Sequence, residues 1–119
     1  MDSRLARVSK ICLALPGATR QDCDSHAGFY VRKRTFAYVL DNHHGDGIVA
    51  VTAKVLPGDN HALAASQPRK FYLPAYLASK GWVALRLDTP EVDWEEVEEL
   101  VRTSYGLIAP KAARARNSS

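Results

Sequence analysis

Residues 81–88 read GWVALRLD, a strict alternation that sets Val83, Leu85 and Leu87 on one side and Trp82, Ala84, Arg86 and Asp88 on the other. Only an extended strand turns successive side chains to opposite faces. The segment therefore predicts a strand over 82–87 whose apolar face a second layer must cover. The covering layer follows directly. Trp94, Val97, Leu100, Val101, Tyr105 and Ile108 recur at helical spacing, Asp93 with Glu96 resembles a capping box, and Glu98 and Arg102 can pair on the wet side.

The remaining segments fit the same plan. Residues 4–15 place Leu5, Val8, Ile11, Cys12 and Leu15 on one helical face and Arg4, Arg7 and Lys10 on another, with Pro16-Gly17 as the stop. GFYVRKRTFAYVL (28–40) has the composition of two strands joined at Arg32-Lys33-Arg34. Without the glycine that a two-residue hairpin favours, that joint predicts a longer or bulged turn. DNHHGDG (41–47) is a loop, 48–55 a strand, and the stretch between Pro57 and Pro68 a short helix capped by Asp59 or Asn60. Connections this short do not allow parallel crossovers. The expected fold is α+β and two-layered: an antiparallel sheet with N-terminal, short middle and C-terminal helices mainly on one face, the other face at least partly wet. Residues 1–111 make one domain and 112–119 a frayed basic tail.

The 119 residues suffice for a single core, and a 46% hydrophobic, 24% charged composition is that of a chain that folds alone. Two cysteines make no disulfide framework, and Cys12 inside ICLAL reads as a buried thiol. MDSRLARVSK lacks the apolar core of a signal peptide and no apolar run approaches membrane-spanning length, which places the protein in the cytoplasm, away from the membrane. No catalytic constellation is evident. Cys23-Asp24-Ser25-His26 holds a nucleophile and a base without an orienting partner, and His43-His44 with Asp41 and Asp46 lacks metal-ligand spacing and reads as a solvated loop. The expectation is a non-enzymatic monomer with no metal and no cofactor.

Charge carries the positive lead. The net +3 is unevenly spread: residues 1–40 hold seven Lys/Arg against three Asp/Glu, whereas residues 89–119 hold four against six. Arg32, Lys33 and Arg34 cluster at the hairpin joint. Arg69, Lys70 and Lys80 flank Phe71, Tyr72 and Tyr76 on a connector stiffened by Pro68 and Pro74. Strand parity sets Tyr30, Arg32, Lys54, Trp82 and Arg86 on the face away from the core. Such a basic, aromatic surface suits phosphates with stacked bases. The alternatives are that the connector aromatics close the core, that Trp82 folds over the sheet edge, and that the cations solvate it.

FYVRKRTFAYV (29–39), VTAKV (51–55), QPRKFYLPAYLASKGWVALRLD (67–88) and VEELVRTSYGLIAPK (97–111), in this order and spacing, resemble the MmcQ/YjbR family of small bacterial proteins over nearly the whole chain. The proline-bounded aromatic segment leading into Lys80-Gly81-Trp82-Val83 and the Ser104-Tyr105 pair carry most of the likeness. The resemblance implies a compact α+β fold with an antiparallel sheet, similar to frataxin-like and secretion-chaperone-like folds, and DNA binding through a double-wing arrangement. The chain departs from the pattern at the turn, with Lys33-Arg34 where the family often has Gly-Lys. A protein-interaction or chaperone-like adaptor is the competing expectation, with the connector or the acidic segment 91–99 facing a partner.

Overall fold

Trp82–Arg86 is indeed a strand, but it lies inside a sheet and is buried on both faces. The computed structural model describes residues 3–23, 26–41, 45 and 47–110. Strands β1 (Ala18–Cys23), β2 (His26–Val31), β3 (Arg34–Asp41), β4 (Val49–Lys54), β5 (Phe71–Tyr72) and β6 (Trp82–Arg86) form one antiparallel sheet in the order β1-β2-β3-β4-β6-β5. Helices α1 (Ser3–Leu13) and α3 (Trp94–Ile108) pack together over one face, and α2 (Asp59–Ser66) packs against β5 and β6. The expected His43-His44 loop, Asp24 and Ser25, and the expected tail lie outside the described residues.

Two rows of side chains cross the inner face. Ala27, Val39, Val51, Leu85 and Phe71 are successive ladder partners, as are Phe29, Ala37, Ala53 and Val83, and all are buried. Val8 and Cys12 of α1 and Val97, Val101 and Tyr105 of α3 close over them. Between the pairs Phe29–Ala37 and Tyr30–Thr35 the register slips by one residue, and Phe36 is the extra residue of this bulge. The slip breaks the alternation, so Phe36 and Ala37 are consecutive yet both fully buried. Phe36 meets the Tyr105 ring edge-on at 5.4 Å.

The second face is only partly wet, because its centre is closed. Thr52 and Ala84 are fully buried there, and Trp82 is only 6% exposed, with its ring 5.8 Å from that of Tyr38. The cover is the connector between β5 and β6. Its residues Pro74–Leu77 face His26, Tyr38, Leu40 and Tyr72 across a shallow groove. Tyr30 lies over Gly28 on the same face; a side chain at Gly28 would meet the Tyr30 ring at under 3 Å.

The ends of α3 follow from its sequence. Asp93 accepts hydrogen bonds from the Glu95 and Glu96 amides, and Arg102 donates to Glu98 one turn away. Near its other end the Tyr105 hydroxyl donates to the Pro16 carbonyl, fastening α3 to the exit of α1.

Candidate nucleic-acid interface

Antiparallel pairing brings the end of β2, the start of β3, the end of β4 and the start of β6 to one edge of the molecule. Arg32, Lys33, Arg34, Lys54 and Lys80 therefore share that end, together with the C-terminus of α3. Arg32 and Lys33 are the two residues of the β2–β3 turn, with φ of 50° and 67°, and Val31 pairs directly with Arg34. The turn is thus the tightest kind of hairpin connection rather than a long or bulged one; the bulge sits further along at Phe36. Glycine and asparagine normally supply this left-handed backbone, and each non-glycine residue in it costs about 1 kcal/mol. The turn projects both cations into solvent.

Neutral hydrogen bonds build this end. The Ser104 hydroxyl, fully buried, donates to the Phe36 carbonyl at 2.6 Å and accepts from the Lys54 amide at 2.9 Å. It satisfies a carbonyl and an amide that the bulge and the strand end leave over. Arg34 donates to the Ile108 carbonyl at 3.3 Å, where a cation also meets the negative end of the helix dipole. Among the described residues Arg32, Lys33, Lys54 and Lys80 form no ion pair. The acidic side chain closest to them in the chain is Asp59, exposed at the start of α2.

The other three expected cations lie at the opposite end. Arg86 holds Asp88 through two hydrogen bonds of 3.0 and 2.8 Å, and Lys70 is ion-paired with Glu96 of α3. The Arg86 guanidinium holds the Asp88 carboxyl below the usual carboxylate range. Arg69 is exposed beside a cleft that also includes Glu91 and Asp93. Burial removes Trp82 as a surface ring. Among the connector aromatics, Phe71 enters the core, Tyr72 lines the groove, and Tyr76 is 89% exposed at a φ of 67°.

Asn60, expected as a helix cap, has a different role. Gly58 caps α2, while Asn60 is buried and its amide donates to the carbonyls of Ala78 (2.9 Å) and Trp82 (3.1 Å). It thereby ties α2 to the connector just before Lys80. Local spacing held no sign of this. The two cysteines are apart: Cys12 is buried, which pushes its thiol up, and Cys23 is exposed on β1. No group of three or more His, Cys, Asp or Glu side chains is placed to hold a metal among the described residues, and no helix there is long and apolar enough to cross a membrane.

Fold and surface together define a small α+β protein with a six-stranded antiparallel sheet and one cationic end. The YjbR family model matches residues 13–107, and the chain belongs to that family. The crystal structure of Deinococcus radiodurans protein DR2400, a DUF419 domain, is similar at a TM-score of 0.74 and 25% identity, over 96% of this chain and 87% of that one. No curated protein matches the chain.

Proposed function

We propose that the chain is a non-enzymatic nucleic-acid-binding module that grips the phosphate backbone with the Arg32–Lys33 turn, Arg34, Lys54 and Lys80. The observation that carries this reading is the contrast between the ends: among the described residues Arg32, Lys33, Lys54 and Lys80 form no ion pair, whereas Lys70 and Arg86 are neutralised by Glu96 and Asp88. Phosphate contacts of this kind are insensitive to sequence and fall steeply with salt, because each neutralised phosphate releases counterion. Arg34 is positioned by its bond to α3, so its guanidinium is presented with less freedom to lose.

The test is a titration of DNA at about 50 mM salt, where electrostatic binding is strong, repeated at rising salt. Arg32→Ala, Lys33→Ala and Lys80→Ala should each lower the salt slope by about one unit. Arg69→Ala and Lys70→Ala should leave it unchanged. Absence of binding to duplex and single-stranded DNA at low salt would defeat the reading. It would favour the adaptor, for which the exposed Leu73 and Tyr76 of the connector are the supporting observation.

A further inference from the structure

We propose that the groove under the connector is a pocket for one unstacked base, giving the basic end a preference for single-stranded nucleic acid; this rests on the phosphate-binding reading above. The groove encloses about 290 Å³ between the second face of the sheet and the segment 74–77, with His26, Tyr38, Leu40, Tyr72, Tyr76 and Leu77 among its walls. That is the small end of the range for ligand clefts, sized for a planar ring system rather than a large ligand. Four of these six walls are rings, and every base offers a π-face to stack on one.

Tyr76 is the residue that calls for an occupant. It is a bulky residue held at a φ of 67°, a conformation that costs it about 1 kcal/mol, and it is 89% exposed. Neither the strain nor the exposed apolar ring stabilises the free protein. Strained backbone of this kind clusters where ligands are held.

The groove runs along the second face from Leu77, next to Lys80, past Tyr38 and Tyr72 to His26 and Leu40, which share the ladder row of Arg86 at the other end. The Leu77 carbonyl accepts from the amides of both Lys80 and Trp82, so Lys80 leaves the groove wall within one turn. Trp82 packs on Tyr38 in the floor and pairs across the ladder with Lys54. Lys54 lies two residues along the ladder from the row of Tyr38 and Tyr72, about 7 Å, so a strand whose phosphates meet Lys54 and Lys80 can turn one base into the near part of the groove. A duplex keeps its bases stacked and paired inside, and so offers only its backbone.

The experiment compares a labelled oligothymidine with a hairpin duplex of the same phosphate count at about 50 mM salt, for the wild-type chain, Tyr76→Gly and Tyr76→Phe. Glycine removes the ring and relieves the left-handed backbone, so the variant should melt no lower than wild type. The expected result is a single-strand affinity roughly tenfold or more weaker in Tyr76→Gly, an unchanged duplex affinity, and full retention in Tyr76→Phe. A Tyr76→Gly variant that melts normally and binds both forms like wild type overturns the pocket while leaving phosphate binding standing, and assigns the groove to an apolar partner segment. Equal weakening for both forms also overturns it, since it makes Tyr76 a backbone contact. Wild type that binds neither form removes the phosphate-binding reading itself.

Discussion

The two ends of the sheet both carry cations but are closed by opposite means. At one end the structure is closed by neutral groups: the Ser104 hydroxyl between the Phe36 carbonyl and the Lys54 amide, and the Tyr105 hydroxyl on Pro16. At the other end carboxylates close it, with Asp88 on Arg86 and Glu96 on Lys70. A lysine that balances a carboxylate is no longer available to a phosphate. Where hydroxyls and amides do the structural work, the ammonium and guanidinium groups stay in water with their charge uncompensated. The lesson is that counting cations along a chain measures potential; the partners met on folding decide how much of it faces outward.

This contrast can be broken most forcefully at Ser104. Ser104→Ala leaves the Lys54 amide and the Phe36 carbonyl without their partner in a buried place, and should cost about 1–3 kcal/mol. Chemical denaturation would read it, and a loss well below that range would mean that the neutral end is not held as described. The same variant should loosen Lys54 and weaken DNA binding.

A smaller effect of opposite sign is expected at the turn. Lys33→Gly relieves a left-handed backbone at φ 67° and should stabilise the fold by about 0.5 kcal/mol, the relief being partly offset by the greater freedom of glycine in the unfolded chain. It should also remove one unit of salt slope. A stability gain with reduced binding separates the two roles of this residue; a loss of stability would show that the turn prefers its lysine.

The smallest effect belongs to the acidic end. The Asp88 carboxyl is held down chiefly by its hydrogen bond to Arg86, so it stabilises the fold above the ordinary aspartate value of about 3.9, and that contribution disappears as the pH falls through the depressed folded value. Partial exposure and solvent screening keep the pair to a few tenths of about 1 kcal/mol. Asp88→Asn should flatten the stability profile on the acid side and leave it unchanged near neutrality apart from that small loss. Thermal melts across the acid range would show it, and an unchanged profile would mean that the ion pair does not form in solution.

Much of the fold was legible because its signals are local. The helical spacing of Val97, Leu100, Val101 and Tyr105, the Asp93 cap and the Val83-Leu85 face are each readable within a dozen or so residues, and each appears as expected. Strand β1, ATRQDC, was missed: a polar segment at the sheet edge buries little and so carries no apolar period. The two residues of β5 were missed because strand character there comes from pairing with β6 rather than from composition. The bulge at Phe36 hid the parity of β3, since one inserted residue shifts every side chain after it to the other face.

The sequence by itself therefore determined the class of fold, the apolar face of each long element, the capping of α3 and the presence of clustered cations, all properties set by neighbours in the chain. Tertiary structure alone decided that Trp82 is buried against Tyr38 and Tyr76 left exposed, that Asn60 ties down the connector, and that Lys70 and Arg86 are neutralised while Lys54 and Lys80 are not. The physical reason is range. Periodicity and capping are satisfied within a turn or two of chain, whereas burial of a ring and neutralisation of a charge depend on whichever distant segment the folded sheet brings against it.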